Sequence, residues 1–117
     1  MFFVYLLASQ HYGTLYVGST NDLARRIWEH KTRVVPGFTT KYAVDRLVWF
    51  EVHETLEGAL IRERQIKRWK RDWKINLIEA QNPHWVDLYP SLPGVRPASI
   101  KGARGWVDRG DKPRDDT

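Results

Sequence analysis

Two β-rich runs, FFVYLLA at 2–8 and TLYVG at 14–18, flank SQHYG, a short stretch of turn-forming residues. Nothing else in the chain restricts its fold as tightly. Apolar and aromatic residues at that density favour extended backbone, and so short a connection forces the two runs to pair antiparallel. If Ala8 faces Gly13 around a four-residue loop, Tyr5 falls directly opposite Tyr16 on one face of the hairpin.

The second run leads into NDLARRIWEH, where Asn21 is placed to cap a helix, Asp22 suits its positive first turn, and Leu23, Ala24 and Ile27 form an apolar stripe. Arg26 and His30, four residues apart, lie along one edge of that stripe. VVPGFTTKY at 34–42 carries a Pro-Gly turn and reads as a loop, and RLVWFEV at 46–52 as a third strand. Thr55 caps a helical pattern over about 56–80, broken near Lys70 and Arg71, with Leu56, Leu60, Ile66, Trp69, Trp73 and Leu77 along one side. NPHWVDLYPSLPG then leaves the helix and folds back on the core. The order β-β-α-β-α-α predicts an α+β fold, a small three-stranded, mainly antiparallel sheet flanked by helices. Residues 1–93 are expected to form one domain. Residues 94–117, rich in glycine, proline and charge without apolar period, are expected to be a disordered basic and polar tail.

A chain of 117 residues, 42% of them hydrophobic, can bury one core but hardly two. With no cysteine it has neither a disulfide framework nor a thiolate metal site. No stretch approaches the ~20 apolar residues of a membrane span, so a cytoplasmic protein without a membrane partner is expected. The net charge is +5, and residues 62–74 hold seven Lys or Arg against two acids, as much excess charge as the whole chain. An anionic partner follows, with Arg64, Lys67, Arg68 and Arg71 forming an exposed ridge.

Glu63 stands inside the apolar stripe, between Leu60 and Ile66. Burying a carboxylate is unfavourable unless a cation or strong donors hold it, which leaves an ion pair with Arg26 or a metal ion as the explanations. Singly, each polar residue has an ordinary reading: Tyr5 and Tyr16 as packing residues, His30 as a core histidine, Arg26 as a snorkelling side chain, and the 62–74 run as a solvated face. Together, two tyrosines, an arginine, a histidine and a helix carboxylate converge on one patch.

These residues carry a resemblance. VYL (Val4, Tyr5, Leu6), YVG (Tyr16, Val17, Gly18), then Arg26 and His30, then Glu63 within ALIRERQIK, resemble the motifs of the GIY-YIG endonuclease family, and GFTTKY and RQIKRWKR look closest to its small stand-alone bacterial group. The resemblance covers about residues 2–89. Val4 and Leu6 stand where the family has glycine and isoleucine. It implies hydrolysis of a nucleic-acid phosphodiester bond with one divalent ion, Mg²⁺ or Mn²⁺, held by Glu63, in DNA repair or processing, with single-stranded or structured DNA favoured. By the same resemblance Arg26 stabilises charge on phosphorus, Tyr5 or Tyr16 orients or deprotonates the water, and His30 assists. Lys41, Tyr42 and the basic helix then track the strand. A non-catalytic nucleic-acid-binding module is the alternative, and a protein-interaction surface around Trp85 and Tyr89 a third reading.

Overall fold

The computed structural model describes residues 1–34 and 36–95. The expected tail therefore lies outside the described residues from residue 96 onward. Strands β1 (Phe2–Ala8), β2 (Leu15–Thr20) and β3 (Arg46–His53) form one sheet in the order β2-β1-β3, antiparallel throughout. Helix α1 (Leu23–Thr32) and the single turn α2 (Phe38–Lys41) lie between β2 and β3, and α3 (Leu56–Arg68) and α4 (Arg71–Gln81) follow. A 3₁₀ turn, Tyr89–Ser91, closes the described chain. The expected α+β architecture is present.

Strand alternation divides the core in two. Val4, Leu6 and Ala8 of β1 pack with Val17, Val48 and Trp49 against Ala59, Ile66 and Ile78 of the last two long helices. Tyr5 and Leu7 point the other way, onto Leu23 and Ile27 of α1 and onto Leu47, Tyr89 and Leu92. Val48 and Trp49 are consecutive yet share one cluster. The β1–β3 register shifts between Leu6 and Leu7, pairing them with Trp49 and Leu47, and the extra residue Val48 is thereby turned to the same side.

Several local expectations need correction. The hairpin register pairs Tyr5 with Gly18 and Leu7 with Tyr16, not Tyr5 with Tyr16. The connection is six residues long, closed by Ser9 N–H donating to Thr14 O at 3.0 Å and by Thr14 N–H donating to Ser9 Oγ at 2.9 Å, with Tyr12 at φ 59°. The slip is even, so Tyr5 and Tyr16 still share a face, as diagonal neighbours with ring centroids 6.4 Å apart. Asp22, not Asn21, caps α1, its Oδ1 accepting from Arg25 N–H at 3.2 Å. The 34–42 segment is not wholly loop, because α2 forms after Gly37, whose φ of 138° suits glycine.

Thr55 caps α3 as expected, accepting from Gly58 N–H at 3.0 Å. The helix breaks at Trp69 and Lys70, both extended, which rotates α4 away from the phase of α3. Trp73 is exposed in consequence, Leu56 at the start of α3 is exposed as well, and the buried line runs through Ala59, Ile66 and Ile78. Trp85 and Tyr89 are buried, which removes the protein-interaction surface proposed around them. Val95, placed in the tail from sequence, packs partly on the Tyr89 cluster.

The return segment is held by two polar side chains. Asp87 accepts from Leu47 N–H, Tyr89 N–H and Lys31 Nζ. Buried Asn82 donates to Val48 O at 3.1 Å and Val86 O at 2.8 Å, and accepts from Val86 N–H at 3.0 Å. Removing the amide strands three backbone groups, each of which is costly to leave unpaired. Asn82→Ala is therefore expected to destabilise the fold by about 3 kcal/mol, read as a lower urea midpoint with an unchanged m-value.

Candidate active site

β1 is the central strand, so Tyr5 is walled on both sides and buried. Its ring lies over Gly18: a Cβ there would stand 2.5 Å from Tyr5 Oη and 2.6 Å from Cζ. Glycine at that position makes the crossing possible. From the other direction α1 delivers His30, whose Nε2 is 3.2 Å from Tyr5 Oη. His30 Nδ1 meets Thr39 Oγ1 of α2 at 2.8 Å. Arg26, one turn before His30, lies near enough to act on the Tyr5 hydroxyl and donates to Glu29 Oε1 at 3.1 Å. The polar line is thus Arg26, Tyr5, His30, Thr39. Tyr16 flanks it, with its ring centroid 5.7 Å from that of His30.

Glu63 arrives from the opposite face, on the buried side of α3 between Ala59 and Ile66. Its Oε1 accepts from Ser19 Oγ at 2.5 Å, and its Oε2 accepts from Lys67 Nζ at 2.6 Å. The ion pair with Arg26 considered from sequence is not what holds it. Gly18 and Ser19 are adjacent on edge strand β2, one facing Tyr5 and the other Glu63. The carboxylate is near enough for its charge to be felt at Tyr5.

Burial pushes the Tyr5 phenol up to about 12, with Tyr16 adding to the rise and Arg26 opposing it. Tyr5 is a phenol at neutral pH. Burial works against charge on Arg26 as well, but its interactions with Tyr5 and Glu29 outweigh that and raise its pKa. His30 is lowered to about 4, first by burial and then by the Arg26 charge, with Glu29 opposing.

Neutral His30 has a consequence for stability. In the unfolded chain it protonates near pH 6.5, whereas the fold resists protonation down to about pH 4. The fold therefore keeps its full stability above pH 6.5 and loses it as pH falls toward 4, by about 3 kcal/mol from this residue. Urea titrations of wild type and His30→Gln across that window are expected to differ in slope, the variant being flatter.

The basic residues divide. Arg64 and Arg68 are exposed. Lys67 is engaged by Glu63, and Arg71 donates to the carbonyls of Tyr12 and Gly13 at 2.7 and 2.8 Å, fastening α4 to the hairpin turn. The expected four-residue ridge is exposed, and two of its residues also hold internal partners. Lys41 and Tyr42 sit at the end of α2, with Lys41 Nζ 5.3 Å above the Tyr42 ring. An open depression of about 450 Å³ lies beside Arg26, lined also by Thr20, Asp22, Arg25 and Glu29. Ser19, Glu29 and Thr39 were missed from sequence. Each follows or lies near a recognised motif residue, but only tertiary structure reveals the partners of Ser19 and Thr39, whereas the i,i+3 spacing from Arg26 could have marked Glu29.

The GIY-YIG catalytic domain family matches residues 1–76, a span that contains Tyr5, Tyr16, Arg26, His30 and Glu63. The chain belongs to the GIY-YIG family. A UPF0213 protein of Syntrophus aciditrophicus is 37% identical over 82 residues, 69% of this chain and 92% of that protein. A UPF0213 protein of Clostridium perfringens is 34% identical over 82 residues, covering 70% and 87%. The solution NMR structure of a UPF0213 protein from Bacillus halodurans is similar at 24% identity and a TM-score of 0.48, covering 82% of this chain and all of that one. The relatives are thus a small stand-alone GIY-YIG group.

GIY-YIG domains are in general nucleases, and divalent ions are typical of them. The donor chemistry of this chain fits one such ion. Glu63 already holds a cationic group, the Lys67 ammonium, on one carboxylate oxygen. Among the described residues no group of three or more His, Cys, Asp or Glu converges, so a site at Glu63 would have few protein ligands. That suits Mg²⁺, which keeps several waters and takes one or two carboxylates with substrate phosphates. No helix of the described residues is long and apolar enough to cross a membrane.

Proposed function

We propose that this GIY-YIG domain is a metal-dependent endonuclease that hydrolyses phosphodiester bonds of DNA in repair or processing, with single-stranded or structured DNA as substrate. The observation that supports this most is the polar line from Arg26 through Tyr5 and His30 to Thr39, with the Glu63 carboxylate close enough to act on Tyr5.

Arg26 is always charged and half-buried, and its guanidinium fork is suited to the oxygens of a phosphate. It stabilises the charge that develops on phosphorus. Tyr5 Oη, held by its hydrogen bond to His30 Nε2, orients the attacking water. His30 is neutral and so able to assist, and Thr39 holds its ring through Nδ1. Tyr16 completes the wall that orients the water.

Glu63 holds the divalent ion, Mg²⁺ or Mn²⁺, with Ser19 fixing the carboxylate and Lys67 yielding its place. When bound, the ion supplies Lewis-acid neutralisation of the phosphate and leaving oxygen. Lys41, Tyr42, Arg64 and Arg68 follow the strand outside the reacting centre, and Lys67 and Arg71 contribute only where their internal pairings open. This mode is independent of sequence and weakened by salt.

Labelled single- and double-stranded oligonucleotides incubated with Mg²⁺, Mn²⁺ or EDTA test the reading directly. Cleavage with either ion and none with EDTA is expected. Binding without cleavage under all conditions would make the domain a nucleic-acid-binding module.

A further inference from the structure

The single turn α2 presents an aromatic surface that the hydrolytic chemistry does not use. Phe38 and Tyr42 are 48% and 49% exposed, with ring centroids 4.9 Å apart. Scattered surface aromatics need no explanation, but these are not scattered. Phe38 stacks at 25° on Tyr16, 6.3 Å away, and Tyr16 borders His30 at 5.7 Å. An unbroken run of rings leads from the catalytic histidine out to solvent. The turn that carries it is tied to the chemistry, because the residue after Phe38 is the Thr39 that holds His30 Nδ1.

We propose that Phe38, flanked by Tyr42 with the Lys41 ammonium over the Tyr42 ring, forms a stacking platform for one unpaired nucleobase next to the phosphate being cut. This rests on the nuclease reading. The two rings are tilted by 49°, so the base stacks on the exposed Phe38 face with Tyr42 at its edge, and stacking is indifferent to which base it is. The cation beside it suits the phosphate attached to that base. In an intact duplex both faces of every base are covered by its neighbours. Only a nucleotide that is single-stranded or displaced from its stack has a face to offer, so the platform makes cleavage depend on an unpaired position. Phe38 is thereby a specificity-determining residue.

The test uses the full chain in EDTA, with single-stranded and blunt duplex oligonucleotides carrying 2-aminopurine at successive positions. Wild type is expected to quench the probe at one position only, adjacent to the bond cut when metal is restored. Phe38→Ala is expected to abolish that quenching and lower the preference for single strand over duplex by roughly 5- to 150-fold, the range for one base stacked on an aromatic. Phe38→Tyr is expected to retain both. If wild type cleaves but Phe38→Ala keeps the preference and the quenching, the platform is refuted while the nuclease stands. If wild type binds and quenches without cleaving, the nuclease reading fails and the platform survives. A concentration-dependent dimer that dissociates in Phe38→Ala, with oligonucleotide binding unchanged, would overturn the proposal by assigning the rings to a second copy of the chain.

Discussion

Replacing Glu63 by Gln is expected to reduce metal-dependent cleavage by on the order of 10³-fold, about 4 kcal/mol of barrier, while the fold stays intact. The two halves of that expectation come from different contacts. Gln keeps an oxygen that accepts from the Ser19 hydroxyl, so the side chain remains in place. It loses the charge that attracts Lys67, but an i,i+4 pair whose lysine is half exposed contributes only about 0.5 kcal/mol. The melting temperature should hardly move. An amide is a far poorer ligand for a hard cation than a carboxylate, and among the described residues no group of three or more His, Cys, Asp or Glu stands ready to replace it. Fluorescence anisotropy should show oligonucleotide binding retained. Undiminished cleavage in this variant would remove Glu63 from metal binding altogether.

Gly18→Ala is expected to damage both the fold and the chemistry, although it adds one methyl group. That methyl would meet the Tyr5 hydroxyl and ring carbon at 2.5 and 2.6 Å, and Tyr16 Cε2 at 3.1 Å. Tyr5 cannot retreat, being packed among Leu23, Ile27 and Leu47, and overpacking of this kind costs about 1–3 kcal/mol. Any accommodation moves Oη away from His30 Nε2, now 3.2 Å distant. Urea unfolding measures the first effect and single-turnover cleavage the second. The variant should lose at least about 10²-fold in rate, because sub-ångström misplacement is heavily penalised in positioned chemistry. Wild-type stability and rate would mean that Tyr5 does not depend on Gly18.

The parts of the fold legible in the sequence are those set by local signals. The three strands, the Thr55 cap and the break near Lys70 all follow from residue type and spacing. The hairpin register did not, because the turn places Tyr12 in the left-handed region without the Asn or Gly that usually marks one. The expected stripe failed at Trp73 for a different reason. A single helical count was carried across an extended break, beyond which the phase no longer holds. Within the site, Tyr5, Arg26 and His30 were recognisable by motif and do converge. Their supports were not recognised: Ser19 and Thr39 are hydroxyls whose partners lie on other elements, whereas Glu29 stands at i,i+3 from Arg26, a helix spacing that could have marked it. Lys67 and Arg71 are exposed as expected, and each also engages a partner within the fold, the Glu63 carboxylate and the hairpin carbonyls.

The two reactive halves of this domain hang from neighbouring residues of one short strand, Gly18 beneath Tyr5 and Ser19 against Glu63. The pleat of β2 is thus the ruler that sets their separation. Over evolutionary time such a ruler tolerates insertions where loops absorb them, as between α1 and α2, without disturbing the spacing. It tolerates none inside β2, because one inserted or deleted residue would exchange the faces and send the serine toward the tyrosine.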